Sequence, residues 1–232
     1  MGPLRSGRSR PGPATFSDGL GLAPGMAVGL FGGSFDPAHQ GHARVAETAL
    51  RRLGLDRVVW LVSPQNPLKS ARAAPLDQRI AGARRLARGP RMIVSDAENR
   101  LGLRYTIDVI AALRRRHPGV RFVWLMGADN LLQMHHWRDW RGVFHVVPVA
   151  VIARPGPVRR LFAPAARRFA ANRLPVRAAT LLAACDPPAW VYLNVRLRQE
   201  SSTALRQSRK DGLECPPPDK ARDSAGAPRP RR

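Results

Sequence analysis

Two histidines three residues apart, His39 and His42, follow an apolar run that ends in two glycines, with five residues between. The full string is Gly32-Gly33-Ser34-Phe35-Asp36-Pro37-Ala38-His39-Gln40-Gly41-His42. Residues at i and i+3 share one face of a helix, so two imidazoles at a helix start are aimed the same way. The helix start also offers free backbone N–H groups to an anion, and two glycines let a phosphate approach the main chain. Phosphate binding with two imidazole donors is the chemistry this set can do. Zinc ligation needs a third ligand, and none stands at a convincing spacing. An isolated HxxH pair most often reads as two surface histidines on a plain strand, turn and helix; the longer string is what argues otherwise. It is neither GxGxxG nor GxxxxGK[ST], so the usual dinucleotide and P-loop sites do not apply.

Other segments carry compatible chemistry. Ser201, Ser202 and Thr203 supply hydroxyls where a helix should begin, and Arg206 follows within about one turn. Its guanidinium can donate two bonds to a phosphate, although alone the segment would read as an ordinary helix cap with a solvated Arg. Gly127-Ala128-Asp129-Asn130 lies just after a strand, where ligand residues sit in α/β folds; a bland turn with a cap is the alternative. Tyr105-Thr106 opens a helix, and Trp137 and Trp140 follow the fourth strand, where a tryptophan is ordinarily core. Asn66-Pro67-Leu68-Lys69 is a loop whose lysine either reaches a phosphate or simply faces solvent.

The elements that must position these residues can be read from the apolar pattern. Runs at 26–31, 57–62, 91–95, 120–126, 149–153 and 190–193 predict strands. Apolar residues recurring at three and four predict helices over 40–53, 76–87 and 106–116, with a further helix near 158–172 and a loop through 186–188. Strands alternating with helices predict an α/β fold, an open parallel sheet with helices on both faces. Residues 1 to 25 and 208 to 232 lack any apolar period and read as disordered tails around one domain at 26–207, with Met26 a possible alternative start.

At 232 residues with 44% hydrophobic content, the chain holds a core that needs no disulfides. Its longest apolar stretches, 146–153 and 120–128, fall far short of the roughly 18 residues a membrane helix requires. That excludes a transmembrane protein. Arg5, Arg8 and Arg10 precede a Pro- and Gly-rich run rather than the apolar region of a secretory signal, although an Arg- and Ser-bearing leader could mimic a transit peptide. The two cysteines, Cys185 and Cys215, form no framework, and a cytoplasmic protein is expected. Lys and Arg number 39 against 16 acidic residues, a formal charge of +23. Residues 1–25 contribute 3 minus 1 and residues 207–232 contribute 7 minus 4, so the middle keeps +18. Such charge invites a nucleic-acid partner. Against that, 36 of the cations are arginines spread along the chain, with no basic run of five and no interleaved aromatics.

The eleven-residue string resembles the signature of the HxGH nucleotidyltransferase superfamily, which transfers a nucleotidyl group from ATP or CTP to a phosphate or alcohol. Three further segments are similar, in order, to the bacterial nicotinate-nucleotide adenylyltransferases: Glu98 to Gly102 with Tyr105 to Asp108, Leu125 to Leu131 with Trp137 and Trp140, and Ser201 to Arg206. The likeness covers about 26–207. It implies a Rossmann-like nucleotidyltransferase fold, with ATP and nicotinate mononucleotide as substrates, Mg2+ accompanying the ATP, and neither nucleic acid nor membrane as partner. It implies His39, His42 and Arg206 as catalytic residues. ATP would meet Gly32, Gly33, Ser34, Phe35, His42, Gly127, Asp129, Ser201, Ser202, Thr203 and Arg206; the mononucleotide would meet Lys69, Tyr105, Thr106 and Trp137, with Trp137 preferred to Trp140 for stacking on the pyridine. The chain departs from the family in three places. Where the family often has Pro-Pro-His-Lys it has Asn66-Pro67-Leu68-Lys69, and Glu200 and Arg104 replace the usual Ile and Ser. Nicotinamide mononucleotide or phosphopantetheine as acceptor is the nearest alternative, and a nucleic-acid module that lost its chemistry is the alternative from another class.

Overall fold

Short runs rich in Val, Leu, Trp and Phe suit extended backbone buried on two sides, and in the computed structural model they pair as a parallel sheet. Residues 19–64, 73–153 and 163–194 are described. Within them lie β1 (Ala27–Gly33), β2 (Arg57–Val62), β3 (Met92–Ser95), β4 (Arg121–Gly127), β5 (Val149–Ala153), β6 (Arg173–Leu174) and β7 (Trp190–Asn194). Their order is β3-β2-β1-β4-β5-β7-β6, and every neighbouring pair is parallel. The helices are α1 (Gln40–Arg52), α2 (Leu76–Leu86), α3 (Ala97–Arg100), α4 (Thr106–Arg116), α5 (Ala128–Gln133), α6 (Trp140–Val146) and α7 (Pro164–Arg168).

Alternation along each strand divides the core in two. Val28 and Leu30, Val59 and Leu61, Phe122, Trp124 and Met126, and Val149 and Val151 face one side, with Val109, Ile110 and Leu113 of α4 and Val143 and Phe144 of α6. Phe31, Trp60, Val123, Leu125 and Ile152 face the other. There they meet Ala43, Ala46 and Ala49 of α1, small residues that let this helix lie close to the sheet, together with Ala83 of α2. The predicted helices on both faces are present, and no helix among the described residues is long and apolar enough to cross a membrane.

The strand order carries the functional consequence. From β1 the chain builds outward to β2 and β3, then returns to place β4 and β5 on the other side of β1. The loops after β1 and β4 therefore leave the sheet in opposite directions and open a crevice at its carboxyl edge, where ligands bind in open α/β sheets.

Two expectations need correction. The N-terminal tail was expected to extend through residue 25, but Leu20 is buried in the core, its carbonyl accepts from Arg57 Nη1 at 3.1 Å, and the Gly25 N–H donates to the Gly119 carbonyl at 2.8 Å. Of the helix expected near 158–172, residues 158–162 lie outside the described part; the remainder is α7 and a 3-10 turn at Ala170–Asn172. Pro164 sits at the start of α7, where its missing N–H costs nothing.

Gly32 shows why a glycine closes β1. A Cβ there would lie 2.3 Å from Trp124 Cη2, so the indole occupies the room a side chain would need. Gly32→Ala should destabilise the fold by about 1–3 kcal/mol through overpacking. Gly82→Ala in α2, where the added methyl meets only Arg85 Nη2 at 3.9 Å, should instead stabilise it by about 0.5–1 kcal/mol. Urea denaturation of the two variants checks both signs.

Candidate active site

His39 is the N-cap of α1, and His42 is its third helical residue. The His39 backbone N–H donates to His42 Nδ1 at 3.2 Å, so the imidazole reaches back as a Glu does in a capping box. With Nδ1 accepting, a neutral His42 carries its proton on Nε2 and presents that edge as a donor. The two rings lie 3.8 Å apart at 31°. His39 is buried and His42 half-buried. Beneath them the Phe35 ring meets the His42 ring edge-on at 5.0 Å and packs on Phe31 and Trp60. Phe35 holds φ at 46°, a left-handed backbone that costs a non-glycine residue about 1–3 kcal/mol unless its surroundings enforce it.

Of the other predicted residues, Gly127, Asp129, Tyr105, Thr106 and Trp137 lie at the same edge. Gly127 ends β4 and caps α5, with Asp129 exposed in the first turn. Trp137 stands edge-on to Trp124 at 6.3 Å, the same indole that covers Gly32. Asp139, at φ 42°, accepts from the Gly142 N–H at 3.1 Å and so starts α6. Arg138 lies over the Tyr105 ring at 4.6 Å and ties the Trp137 segment to the start of α4, where Tyr105 is the N-cap and Thr106 the first residue. A continuous series of contacts thus joins Gly32, Trp124, Trp137, Arg138 and Tyr105. Trp140 is turned instead against Phe169, 6.1 Å away. Phe35 is buried, so its side chain supports the loop from below. Lys69, Ser201, Ser202, Thr203 and Arg206 lie outside the described residues.

Sequence reasoning missed two buried charged residues at this edge. Arg79 of α2 is 3% exposed. Its Nε donates to the Ala74 carbonyl at 2.8 Å, Nη1 to those of Ser34 at 2.8 Å and Ser63 at 2.6 Å, and Nη2 to that of Pro64 at 2.7 Å. Burial pulls this guanidinium below its ordinary pKa, and Asp36 opposes the pull. Glu98 of α3 is buried and bonded to the Ser63 side chain. Nothing in an isolated sequence marks either one, since each falls among ordinary surface charges.

Residues 30–208 match the cytidylyltransferase-like family. A probable nicotinate-nucleotide adenylyltransferase of Caulobacter sp. strain K31 is 60% identical over 189 residues, 81% of this chain and 100% of the relative. One of Ruegeria pomeroyi is 54% identical over 79% of this chain and 86% of its own length. The chain belongs to the nicotinate-nucleotide adenylyltransferase family. The fold agrees: the Plasmodium falciparum nicotinic acid mononucleotide adenylyltransferase, solved in complex with NaAD, superposes with a TM-score of 0.59 at 15% identity, covering 78% of this chain and 83% of that one.

In this member of the nicotinate-nucleotide adenylyltransferase family, Glu98 makes the edge of the site sensitive to pH. Burial raises its carboxyl from 4.5 to about 7, and the Ser63 bond opposes the rise. A carboxyl with a raised folded pKa binds its proton more tightly in the native state. Its contribution is complete below the unfolded value and is lost as pH climbs through the folded one. From pH 4.5 to about 7 the wild type should lose on the order of 3 kcal/mol relative to Glu98→Gln. Denaturation curves of both proteins across that range test it, and parallel pH profiles would refute it.

Proposed function

We infer that this chain transfers the adenylyl group of ATP to nicotinate mononucleotide, forming nicotinate adenine dinucleotide and pyrophosphate, a step of NAD biosynthesis. The carrying observation is that the crevice beside β1 holds the paired imidazoles in a chain 60% identical to a family member along that relative's whole length. The 5′-phosphate of the acceptor attacks the α-phosphorus, a new P–O bond forms, and the bond to the β-phosphate oxygen breaks as pyrophosphate leaves. The attacking group is already an anion, so no general base is needed; the protein's work is alignment and charge stabilisation. His42 Nε2–H and His39 donate to the α-phosphate oxygens. On the family resemblance, Ser201, Ser202, Thr203 and Arg206 take the β- and γ-phosphates, Gly127 and Asp129 border the nucleotide, and Lys69, Tyr105, Thr106 and Trp137 take the mononucleotide.

No group of three or more His, Cys, Asp or Glu among the described residues could hold a metal ion. A magnesium ion would arrive on the triphosphate and keep several of its own waters. When bound, it offsets negative charge on the phosphates. A cytoplasmic location goes with this reading, resting on two separated cysteines without a disulfide framework.

His42→Ala should lower kcat by about two to three orders of magnitude, the cost of one preorganised donor. Pyrophosphate release measures it. Run against nicotinate mononucleotide, nicotinamide mononucleotide and phosphopantetheine, the same assay should favour the first; preference for phosphopantetheine would overturn the acceptor assignment.

A further inference from the structure

The main chain forks at the ends of β1 and β2. The ladder closes with the Ser63 N–H donating to the Gly33 carbonyl at 3.0 Å. Beyond it one branch runs through Ser34 toward His39 and the other through Pro64. Carbonyls just past such a fork have no neighbouring strand to bond, and these partly buried ones take a side-chain donor. Arg79 supplies it to Ser34 on one branch and to Ser63 and Pro64 on the other. Its Nε bonds Ala74, where the second branch returns toward α2, and the Ala74 N–H donates to Asp36 Oδ2 at 3.4 Å. Only a planar fork with five N–H donors spans these four acceptors; a lysine ammonium has three donors on one atom.

The bond to Ser34 has a specific mechanical effect. The Ser34 carbonyl belongs to the peptide plane whose rotation is the φ angle of Phe35. Holding that oxygen therefore holds Phe35 at 46°, and the Phe35 ring in turn supports the His42 ring at 5.0 Å. We infer that Arg79 is a positioning residue for adenylyl transfer, keeping the strained Phe35 backbone in place and through its ring the direction of His42. The inference deepens the functional reading above and rests on it.

Arg79→Lys and Arg79→Met, each alone and with His42→Ala, test it by kcat, by KM for ATP and nicotinate mononucleotide, by thermal melting, and by the His42 Cε1–H resonance, assigned from its loss in His42→Ala. Displacing a reacting donor by about 1 Å costs about a hundredfold, so kcat should fall to that extent in Arg79→Lys while both KM values stay near wild type. The His42 resonance should move, and the same substitution should cost little in the His42→Ala background, because the donor it positions is already gone. A lower melting temperature with unchanged kcat and an unmoved His42 resonance would overturn the inference, as would an undiminished loss in the His42→Ala background. If Arg79→Met does not fold, Arg79→Lys, which keeps the charge and the stem, yields the same readings. A wild type that transfers nothing to nicotinate mononucleotide would refute the functional reading, while the His42 resonance in Arg79→Lys would still decide the role of Arg79.

Discussion

Past Gly33 and Val62 the parallel ladder between β1 and β2 runs out, and the carbonyls of Ser34, Ser63 and Pro64 must find donors other than a strand. A guanidinium meets that need. Because it is planar, its bonds hold the two branches in one relation, which a shell of water would not do. The imidazole pair depends on this, since the loop that delivers it passes through a left-handed Phe35. Strain of that kind persists only where surrounding bonds over-determine the backbone, and functional loops are where it collects.

The sheet contributes the second constraint. β1 lies between β2 and β4, so the chain leaves all three strands at one edge. Gly32 lets the Trp124 indole cross beneath the crevice floor, and Trp137 stands on that indole. The glycine expected to admit a phosphate is thus already required for packing. The packing use is fixed by the 2.3 Å approach, and the expected phosphate contact would exploit the same missing Cβ.

The arginine excess takes on more than one meaning in three dimensions. Arg138 covers Tyr105, Arg173 lies 5.5 Å from Trp190 and 5.7 Å from Tyr192, and Arg168 lies 5.9 Å from Phe169. Each such contact is worth about 0.5–1 kcal/mol at exposed sites and fastens an element edge. The remaining positive field suits polyanionic nucleotides and weakens with salt.

The apolar periods by themselves determined the main strands, the helices α1, α2 and α4, and the α/β class, because alternation and three-to-four spacing are local properties of the chain. The string from Gly32 to His42 carried the expected phosphate chemistry for the same reason: its residues are neighbours along one turn and one helix start. Short elements such as α3, α5 and α6 escaped, since four to seven residues show too little of a period, and Leu20 escaped because its partners lie across the sheet. What only the tertiary structure decided is which charges are buried and what they hold. Arg79 and Glu98 look like solvated residues in the sequence. Their roles arise from bonds to Ser34, Ser63 and Pro64, up to 45 positions away, and such distances along the chain become contacts only when β1 and β2 lie side by side.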